Sequence, residues 1–319
     1  MVKRMTPIHL DFTGFQPQVA DKVIRLLLVL DRLAAHPFAK DRLCLHGGTA
    51  LNLFVLGVPR LSVDIDLNYI GSTDRIRMLE ERPAIEQAVM DVARELGFAV
   101  TPGKPEHSGR SFRLQYQTRY GADNVKIDVD YLNRSPLLPV EPRTVVLASG
   151  AQVSFPLNAD LELFAGKTKA LLERVAVRDL YDVGRIAAIF SARLAGGDET
   201  LLRRVMLYYL SISAPFPRPF DVSGRFAGRR REVEDALYPM LLAGNHPKLE
   251  DMIEVAQGFV NRVFQPVDEA EVRYLACAAK AEFAPALLFA DYPSTLQAAE
   301  NDPAAAWKMQ NLASAEKRV

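Results

Sequence analysis

Two aspartates two residues apart are the side chains of this sequence best placed to do chemistry. Asp64 and Asp66 alternate with the apolar Val63, Ile65 and Leu67, which is the period of a β-strand with one apolar and one polar face. Both carboxylates therefore project from the same face, with Cα atoms about 6.6 Å apart after two rises of about 3.3 Å. Hard oxygen ligands side by side suit Mg²⁺ or Mn²⁺ bound together with substrate phosphates.

A glycine-rich turn precedes this strand and adds a second feature of phosphate chemistry. Gly47, Gly48 and Thr49 follow a short apolar strand and open a helix that we expect to run from Thr49, as its N-cap, toward Gly57. Free backbone N–H groups and the positive end of a helix dipole bind phosphate at such turns. Ser62 shares the face of the aspartates, where it either hydrogen-bonds a phosphate or is an ordinary surface serine. Either feature alone is usually structural, whereas the two in this order predict a metal-and-triphosphate site.

A predicted β-hairpin carries a third carboxylate. Residues 112–118 and 125–131 alternate in polarity around a turn at 120–124, which is typical of two strands joined by a short loop. Lys126 and Asp128 share the polar face of the second strand. If this strand lies beside that of the two aspartates, Asp128 completes a cluster whose charges need bound cations to stay ionised. The alternative is a solvated hairpin edge.

A later helix is expected to supply cations. Lys167 and Arg174 are seven residues apart and so share one helix face, where they could hold the β- and γ-phosphates and neutralise the departing pyrophosphate. Lys169 is a second candidate for the lysine, and we favour Lys167. Asp179 and Asp182 follow at helical i, i+3 spacing. Taken alone, an amphipathic helix with a basic solvent face explains the cations equally well.

A cluster of arginines beside two aromatic residues is the best candidate for contact with RNA. It consists of Arg225, Arg229, Arg230 and Arg231, near Phe220 and Phe226. Such a cluster could follow phosphates and release counterions, although the acids that follow it also fit a solvated helix start. The formal net charge is zero, so any nucleic-acid surface must be local.

Composition and length restrict the class of protein. The 319 residues, 49% hydrophobic and 24% charged, fit a globular protein with a large core and two domains. Cys44 and Cys277 form no CxxC pattern, and the apolar runs are too short to span a bilayer. There is no apolar core of a signal peptide near the N-terminus. We expect a soluble cytoplasmic protein without a membrane partner.

With these four motifs in this order, the chain resembles the AbiEii family of nucleotidyltransferase toxins from bacterial toxin–antitoxin and phage-defence systems. The family pattern is a Gly-Ser or Gly-Thr turn before Asp-x-Asp, a Lys-x-Asp strand, a Lys…Arg helix and an Asp-x-x-Asp helix. The matching residues are Gly48-Thr49 with Asp64 and Asp66, Lys126 with Asp128, Lys167 or Lys169 with Arg174, and Asp179 with Asp182. The departures are Thr49 where Ser is common and a longer spacer before Asp64.

The resemblance implies an α+β fold. We expect a mixed nucleotidyltransferase-type sheet flanked by helices over residues 1–155, which carries the metal and triphosphate site. An all-helical domain over residues 156–319 would complete the active site and contact the acceptor. The expected catalytic residues are Asp64, Asp66, Lys167 and Asp179; metal would bind at Asp64, Asp66 and Asp128; and the nucleotide would bind at Gly47, Gly48, Thr49, Ser62, Lys126, Lys169 and Arg174.

The implied activity is transfer of a nucleoside monophosphate from an NTP to an RNA acceptor, such as the tRNA 3′ end, which blocks translation. A cognate antitoxin is the implied protein partner. Two alternatives stay open on the residues alone. One is a small-molecule nucleotidyltransferase of the antibiotic-modifying type, and the other is a non-catalytic nucleotide- or RNA-binding module.

Overall fold

The computed structural model describes residues 7–193, 199–213, 216 and 221–316. The chain divides into two compact units. The first comprises Met1–Ala159 together with Pro239–Gly244, and the second comprises Asp160–Tyr238 together with Asn245–Val319. Sequence analysis placed the boundary between residues 155 and 156 and did not foresee that the short segment 239–244 belongs with the first unit. That segment is held there by backbone hydrogen bonds from Leu61 N to the Met240 carbonyl and from Ala243 N to the Gly14 carbonyl.

The first unit is built on one eight-stranded mixed sheet. Its strands are β1 (Ile8–Leu10), β2 (Leu43–His46), β3 (Asp64–Tyr69), β4 (Ala99–Pro102), β5 (Gly109–Thr118), β6 (Gly121–Asp130), β7 (Glu141–Leu147) and β8 (Gln152–Leu157). Their order is β1-β7-β8-β2-β3-β6-β5-β4. Three neighbouring pairs are parallel (β1 with β7, β2 with β8 and β3 with β6), and the remaining pairs in this order are antiparallel. The predicted mixed sheet is therefore confirmed.

Three helices belong to this unit, namely α1 (Pro17–Ala35), α2 (Gly47–Phe54) and α3 (Arg75–Glu95). α1 buries one face through Val23, Leu26, Leu27 and their neighbours, as its helical apolar period requires. α3 begins at Asp74, whose carboxylate accepts from the Arg77 backbone N–H at 2.8 Å. The chain leaves this helix through Gly97 at a φ of +81°.

The predicted β-hairpin is also confirmed, with a tighter turn than expected. β5 and β6 pair antiparallel as far as Thr118 opposite Gly121, so only Arg119 and Tyr120 form the turn. The expected turn at 120–124 was wrong because Gly121 adopts a φ of +108°, which lets the second strand begin at once. Residues 122–124 therefore belong to β6.

The second unit is helical throughout its described residues. Its elements are α4 (Asp160–Glu173), α5 (Val177–Arg193), α6 (Glu199–Ser211), α7 (Val222–Phe226), α8 (Arg230–Glu232), a π-helical turn (Val233–Leu237), α9 (Leu249–Phe264), α10 (Glu269–Ala279), α11 (Ala286–Phe289), α12 (Pro293–Glu300) and α13 (Pro303–Glu316); a 3₁₀ turn (Tyr238–Met240) begins at its edge. α4 packs against α5 and α6, and α5 packs against α9. The predicted helical second half is confirmed. Over the described part of the chain, no helix has the length and apolar character needed to cross a membrane.

Candidate active site

Asp64 and Asp66 lie at the start of β3 on the polar face of the sheet. Ile65 and Leu67, which alternate with them, are fully buried, whereas both aspartates remain partly exposed. β3 is a central strand between β2 and β6, so hydrogen bonds hold its backbone on both sides. The two carboxylates are therefore rigidly placed and still accessible.

Gly47 lies directly against the carboxylate of Asp66. Its φ of +71° belongs to the left-handed region, and a Cβ built on it would lie 2.1 Å from Oδ2 of Asp66. Any other residue would be strained there and would collide with the carboxylate. On β2, His46 is the register partner of Asp66. The start of α2 and the carboxylate can be adjacent only because position 47 is glycine.

Thr49 attaches α2 to β3, whereas Asn52 makes a hydrogen bond within the helix. The Thr49 side chain is fully buried, and its Oγ1 donates to the carbonyl oxygen of Asp64 at 2.5 Å. Asn52 Nδ2 donates to the carbonyl of Gly48 at 2.9 Å. We therefore assign the Thr49 hydroxyl to holding the helix against β3 rather than to phosphate. Thr49 is also not the N-cap, as was expected, because the helix begins at Gly47 with His46 as its N-cap.

Asp128 lies beside Asp66 on the neighbouring strand. β3 and β6 run parallel, with Asp66 opposite Asp128 and Asp64 opposite Lys126, which is the arrangement that a shared carboxylate site needs. Lys126 Nζ lies 2.6 Å from Oδ2 of Asp128, and Ser111 Oγ on β5 donates to its Oδ1 at 2.5 Å. In this structure the Asp128 carboxylate is therefore engaged by a lysine and a serine.

The three carboxylates do not form a ready-made metal cluster. Among the described residues, no group of three or more Asp, Glu, His or Cys side chains is close enough together to hold a metal ion. In this structure the Asp128 carboxylate contacts Lys126 and Ser111. Asp64 and Asp66 remain a pair of hard oxygen donors on one strand face, which is the donor chemistry that Mg²⁺ or Mn²⁺ accepts.

Ser62 differs from its predicted setting. It lies two residues before the first residue of β3 and is buried, with 6% of its surface exposed. The alternation of polarity across residues 62–68 suggested that the strand and its exposed polar face included Ser62. The chain instead enters the strand only at Asp64, so Ser62 does not share the accessible face of the aspartates.

In the second unit, Lys167 lies at the centre of a buried ion-pair network. Its ammonium lies 3.0 Å from Asp179 and 3.2 Å from Asp182. The exposed fraction of each of these three side chains is 5% or less. α4 supplies the lysine and α5 supplies both aspartates, so the network joins these two helices. An amphipathic pattern on α4 does not reveal that its lysine faces inward.

Arg174 extends this network to the surface. Its guanidinium holds Asp179 through Nε at 2.8 Å and Nη2 at 3.2 Å, while 67% of the arginine side chain remains exposed. Burial by itself would raise the pKa of Asp179, but the ammonium of Lys167 and the guanidinium of Arg174 hold that pKa below its ordinary value. Lys169 instead pairs with Glu173 at 3.8 Å.

The four arginines considered for RNA contact divide into two pairs. Arg225 donates to the carbonyl of Leu172 and Arg229 to the carbonyl of Val175 at 3.3 Å, so both serve the C-terminal end of α4. Arg230 and Arg231 are exposed, and each lies near an acid, Glu250 at 3.4 Å and Asp235 at 3.6 Å respectively. Phe226 is buried, and Phe220 lies outside the described residues.

Sequence analysis missed two residues beside the carboxylates. Ser111 contacts Asp128, and Arg113 lies opposite Lys126 on β5. Both residues alternate with the apolar Phe112 and Leu114 on β5, so they lie on the polar face of that strand. The register of the two hairpin strands places Ser111 opposite Asp128 and Arg113 opposite Lys126. This register follows from the sequence only if the turn is placed at Arg119 and Tyr120.

Known proteins share this architecture. The chain is similar to MenT4, a nucleotidyltransferase toxin from Mycobacterium tuberculosis H37Rv, with a TM-score of 0.58 and 19% identity over 88% of this chain and 92% of that chain. JHP933 from Helicobacter pylori gives a TM-score of 0.48 and 17% identity over 78% of this chain and 93% of that chain. A comparison with curated proteins found no significant match. At these identities the likeness to MenT4 shows a shared fold.

The family comparison covers most of the chain. The sequence profile described as "Nucleotidyl transferase AbiEii toxin, Type IV TA system" matches residues 28–301. That range includes both the glycine turn with its aspartates and the Lys167–Asp179 network. The chain therefore belongs to the AbiEii family of nucleotidyltransferase toxins of type IV toxin–antitoxin systems.

Proposed function

We propose that this protein transfers a nucleoside monophosphate from an NTP to an RNA acceptor, most readily the 3′ end of tRNA, and thereby inhibits translation. One observation carries the proposal. Asp64 and Asp66 lie accessible on a central strand, and the glycine turn at the start of α2 fits so closely against Asp66 that a Cβ at position 47 would displace its carboxylate. This combination supports a site where phosphate and cation meet.

The carboxylates fit a divalent metal. Asp64 and Asp66 would hold Mg²⁺ or Mn²⁺, and Asp128 would join them once Lys126 releases it. Such an ion, when bound, neutralises phosphate charge and lowers the pKa of an attacking hydroxyl. Rigid placement of the two aspartates by β3 and by the Gly47 turn means that little reorganisation is needed on binding.

Lys126 is suited to exchange its carboxylate partner for a phosphate. Its pair with Asp128 is exposed, with 48% of the lysine and 36% of the aspartate side chain accessible, and such surface pairs contribute about 0–1 kcal/mol. A triphosphate can therefore draw the ammonium away and free Asp128. The backbone N–H groups at Gly47 and Gly48 would bind the phosphate tail at the positive end of α2.

The reaction follows from this placement. An acceptor hydroxyl oxygen attacks the α-phosphorus and forms a new P–O bond. The bond from the α-phosphorus to the bridging oxygen breaks, its electron pair leaves with pyrophosphate, and the hydroxyl proton passes to solvent. Asp64 and Asp66 would hold the divalent metal that orients the triphosphate for this attack.

The second unit is proposed to assist through Arg174. Its guanidinium is exposed and fixed by two hydrogen bonds to Asp179, which suits bidentate contact with phosphate. We propose that Arg174 stabilises the departing pyrophosphate. Asp179 positions Arg174, and Lys167 in turn holds Asp179 in its ionised form. Lys169 is the less suitable phosphate ligand because it lacks this support.

Family membership adds the biological setting. A type IV toxin implies a cognate antitoxin and an NTP substrate. We place the reaction in the cytoplasm, where NTPs and tRNA are available. Transfer to tRNA 3′ ends would block aminoacylation and so stop translation, which fits a role in phage defence.

The test is a transfer assay with purified protein, Mg²⁺, total tRNA and each α-labelled NTP in turn. Label should enter tRNA with the native protein and not with Asp64→Ala. Label that enters added small molecules but no RNA would replace the RNA acceptor with the antibiotic-type alternative. Metal-dependent NTP binding without any transfer would favour a non-catalytic module.

A further inference from the structure

The polar side of the β5–β6 hairpin continues the carboxylate site outward. We call this surface the hairpin face. It consists of Ser111, Arg113, Gln115 and Gln117 on β5 and of Ala122, Asn124, Lys126 and Asp128 on β6. The strands pair so that these residues form cross-strand rows, from Ser111–Asp128 to Gln117–Ala122. Because β6 also pairs with β3, the face begins beside Asp64 and Asp66.

This face is open, whereas the reverse face of the same strands is part of the core. Arg113, Gln115 and Gln117 are exposed, as is Lys126. Phe112 and Leu114, which alternate with these residues and point the other way, are fully buried. The sheet is therefore covered on one side only in this region, and a flat polar surface leads from the carboxylates to the hairpin tip.

The charges on the hairpin face are arranged for an anion. Arg113 lies directly opposite Lys126 in the strand register, and like charges at such positions are destabilising. Lys126 has Asp128 as a partner. The side chain of Arg113, in contrast, makes no hydrogen bond or ion pair with any residue that the structure describes. Its guanidinium is exposed and is therefore available to a negatively charged ligand.

The remainder of the face offers hydrogen-bonding groups rather than charge. The rows beyond Lys126 carry the amides of Gln115, Asn124 and Gln117, and no acid lies on the face between Asp128 and the tip.

The tip of the hairpin adds an aromatic ring. Tyr120 has 42% of its surface exposed, and the Arg119 guanidinium lies 4.8 Å from the centre of its ring. Aromatic rings and arginine planes are the groups on which unpaired bases stack. From the row of Asp128 to the row of Ala122 the face measures about 20 Å, for six residues of about 3.3 Å each.

We propose that the hairpin face binds the single-stranded 3′ end of the RNA acceptor and leads it to Asp64 and Asp66. Arg113 contacts a phosphate next to the reacting end, the amides contact bases and riboses, and Tyr120 stacks on a base farther along. Cations near the reacting end, followed by amides and an exposed ring, match a single strand, whose bases are open to hydrogen bonding and stacking. This inference rests on the proposed transfer to RNA.

The experiment compares Arg113→Glu with Arg94→Glu, which makes the same charge change at an exposed arginine of α3. Binding of a labelled single strand with the tRNA 3′ sequence is measured over a range of salt, together with NTP affinity and the KM for tRNA. Arg113→Glu should weaken RNA binding about tenfold and flatten its salt dependence by about 0.7 in slope. NTP affinity should change less than RNA affinity, because the new glutamate also lies opposite Lys126. Arg94→Glu should match the native protein.

Folding provides a second readout. Arg113→Glu places opposite charges across from each other, so its melting temperature should not fall. If the native protein labels tRNA while Arg113→Glu keeps the native KM and salt slope, the hairpin face is not the RNA path and the proposed function still holds. If the native protein neither binds nor labels any RNA, the proposed function fails and this inference fails with it.

Discussion

Two lysine–aspartate pairs of similar geometry behave differently because of where they lie. Lys126 and Asp128 are 2.6 Å apart on the open face of the sheet, with 48% and 36% of their side chains exposed. Lys167 and Asp179 are 3.0 Å apart between α4 and α5, with 5% and 2% exposed. The exposed pair can exchange partners with a ligand at little cost, whereas the buried pair cannot separate without leaving a charge in the interior.

The difference in exposure suggests different roles for the two lysine–aspartate motifs. Charges that must meet a substrate lie at the surface, where water and salt weaken their mutual attraction. Charges that hold helices together lie inside, where the loss of one partner costs about 3–5 kcal/mol. Identical residue types in two sequence motifs therefore predict a chemical role in one place and a positioning role in the other.

Lys167→Met should give the largest loss of stability, about 3 kcal/mol. The substitution leaves Asp179 and Asp182 close together in the interior without the ammonium that lies between them. Denaturant unfolding of the purified variant measures the effect. The control is Lys169→Met, which breaks only a 3.8 Å pair with Glu173 and should cost less than about 0.5 kcal/mol. Equal losses in the two variants would contradict the distinction between buried and exposed pairs.

Gly47→Ala should cost about 2 kcal/mol, because the left-handed backbone is strained for alanine and its Cβ would collide with Asp66. Transfer should fall further than stability, since the collision displaces a carboxylate. Gly57→Ala is the matched control, with a φ of +70° and no atom within 4 Å of the added Cβ. It should show the backbone strain alone, measured as a similar loss of stability with native transfer kinetics. Native transfer kinetics in Gly47→Ala would contradict the assignment of Asp66 to the transfer reaction.

Acid should weaken the buried ion-pair network of Lys167 and Asp179. The pKa of Asp179 is below its ordinary value of 3.8 in the folded protein, so its ionised form contributes stability that is present above that pH and is lost as the pH falls below it. The difference in melting temperature between the native protein and Asp179→Asn should therefore shrink below about pH 4. A difference that stays constant from pH 6 to pH 3 would show that Asp179 is not held ionised by Lys167 and Arg174.

Lys126→Met should give the smallest change in stability, below about 0.5 kcal/mol, since its ion pair is exposed. Its KM for NTP should nevertheless rise about tenfold, because a charge-assisted contact with phosphate is lost. Unfolding and steady-state kinetics on one preparation measure both. A stability loss as large as that of Lys167→Met, with native KM, would reverse the roles of the two lysines.

Local patterns predicted much of this molecule. The alternation of apolar and polar residues predicted the accessible strand face of Asp64 and Asp66, and the same alternation over residues 112–131 predicted the β-hairpin. The pairing of β1 with β7 and the return of residues 239–244 to the first unit depend on contacts between distant parts of the chain. No periodicity within one segment encodes such contacts.

For the candidate site, too, the sequence predicted local features but not contacts between distant parts of the chain. Residue types and order gave the carboxylates and the glycine turn. Which side chains would be buried was not predictable, because an amphipathic pattern does not tell whether Lys167 or Lys169 faces a neighbouring helix. The engagement of Thr49 with the Asp64 carbonyl and the burial of Ser62 likewise depend on packing that only the folded chain defines.

The most direct test of the central claim is the single-turnover rate of Asp64→Asn with NTP and tRNA at saturation. The variant keeps the size of the side chain and removes one charge from the proposed metal and phosphate site. We expect a rate at least about 1,000-fold below that of the native protein, with an unchanged melting temperature. Asp91→Asn, an exposed aspartate on α3, should react at the native rate. A native rate in Asp64→Asn would contradict the assignment of transfer to this site.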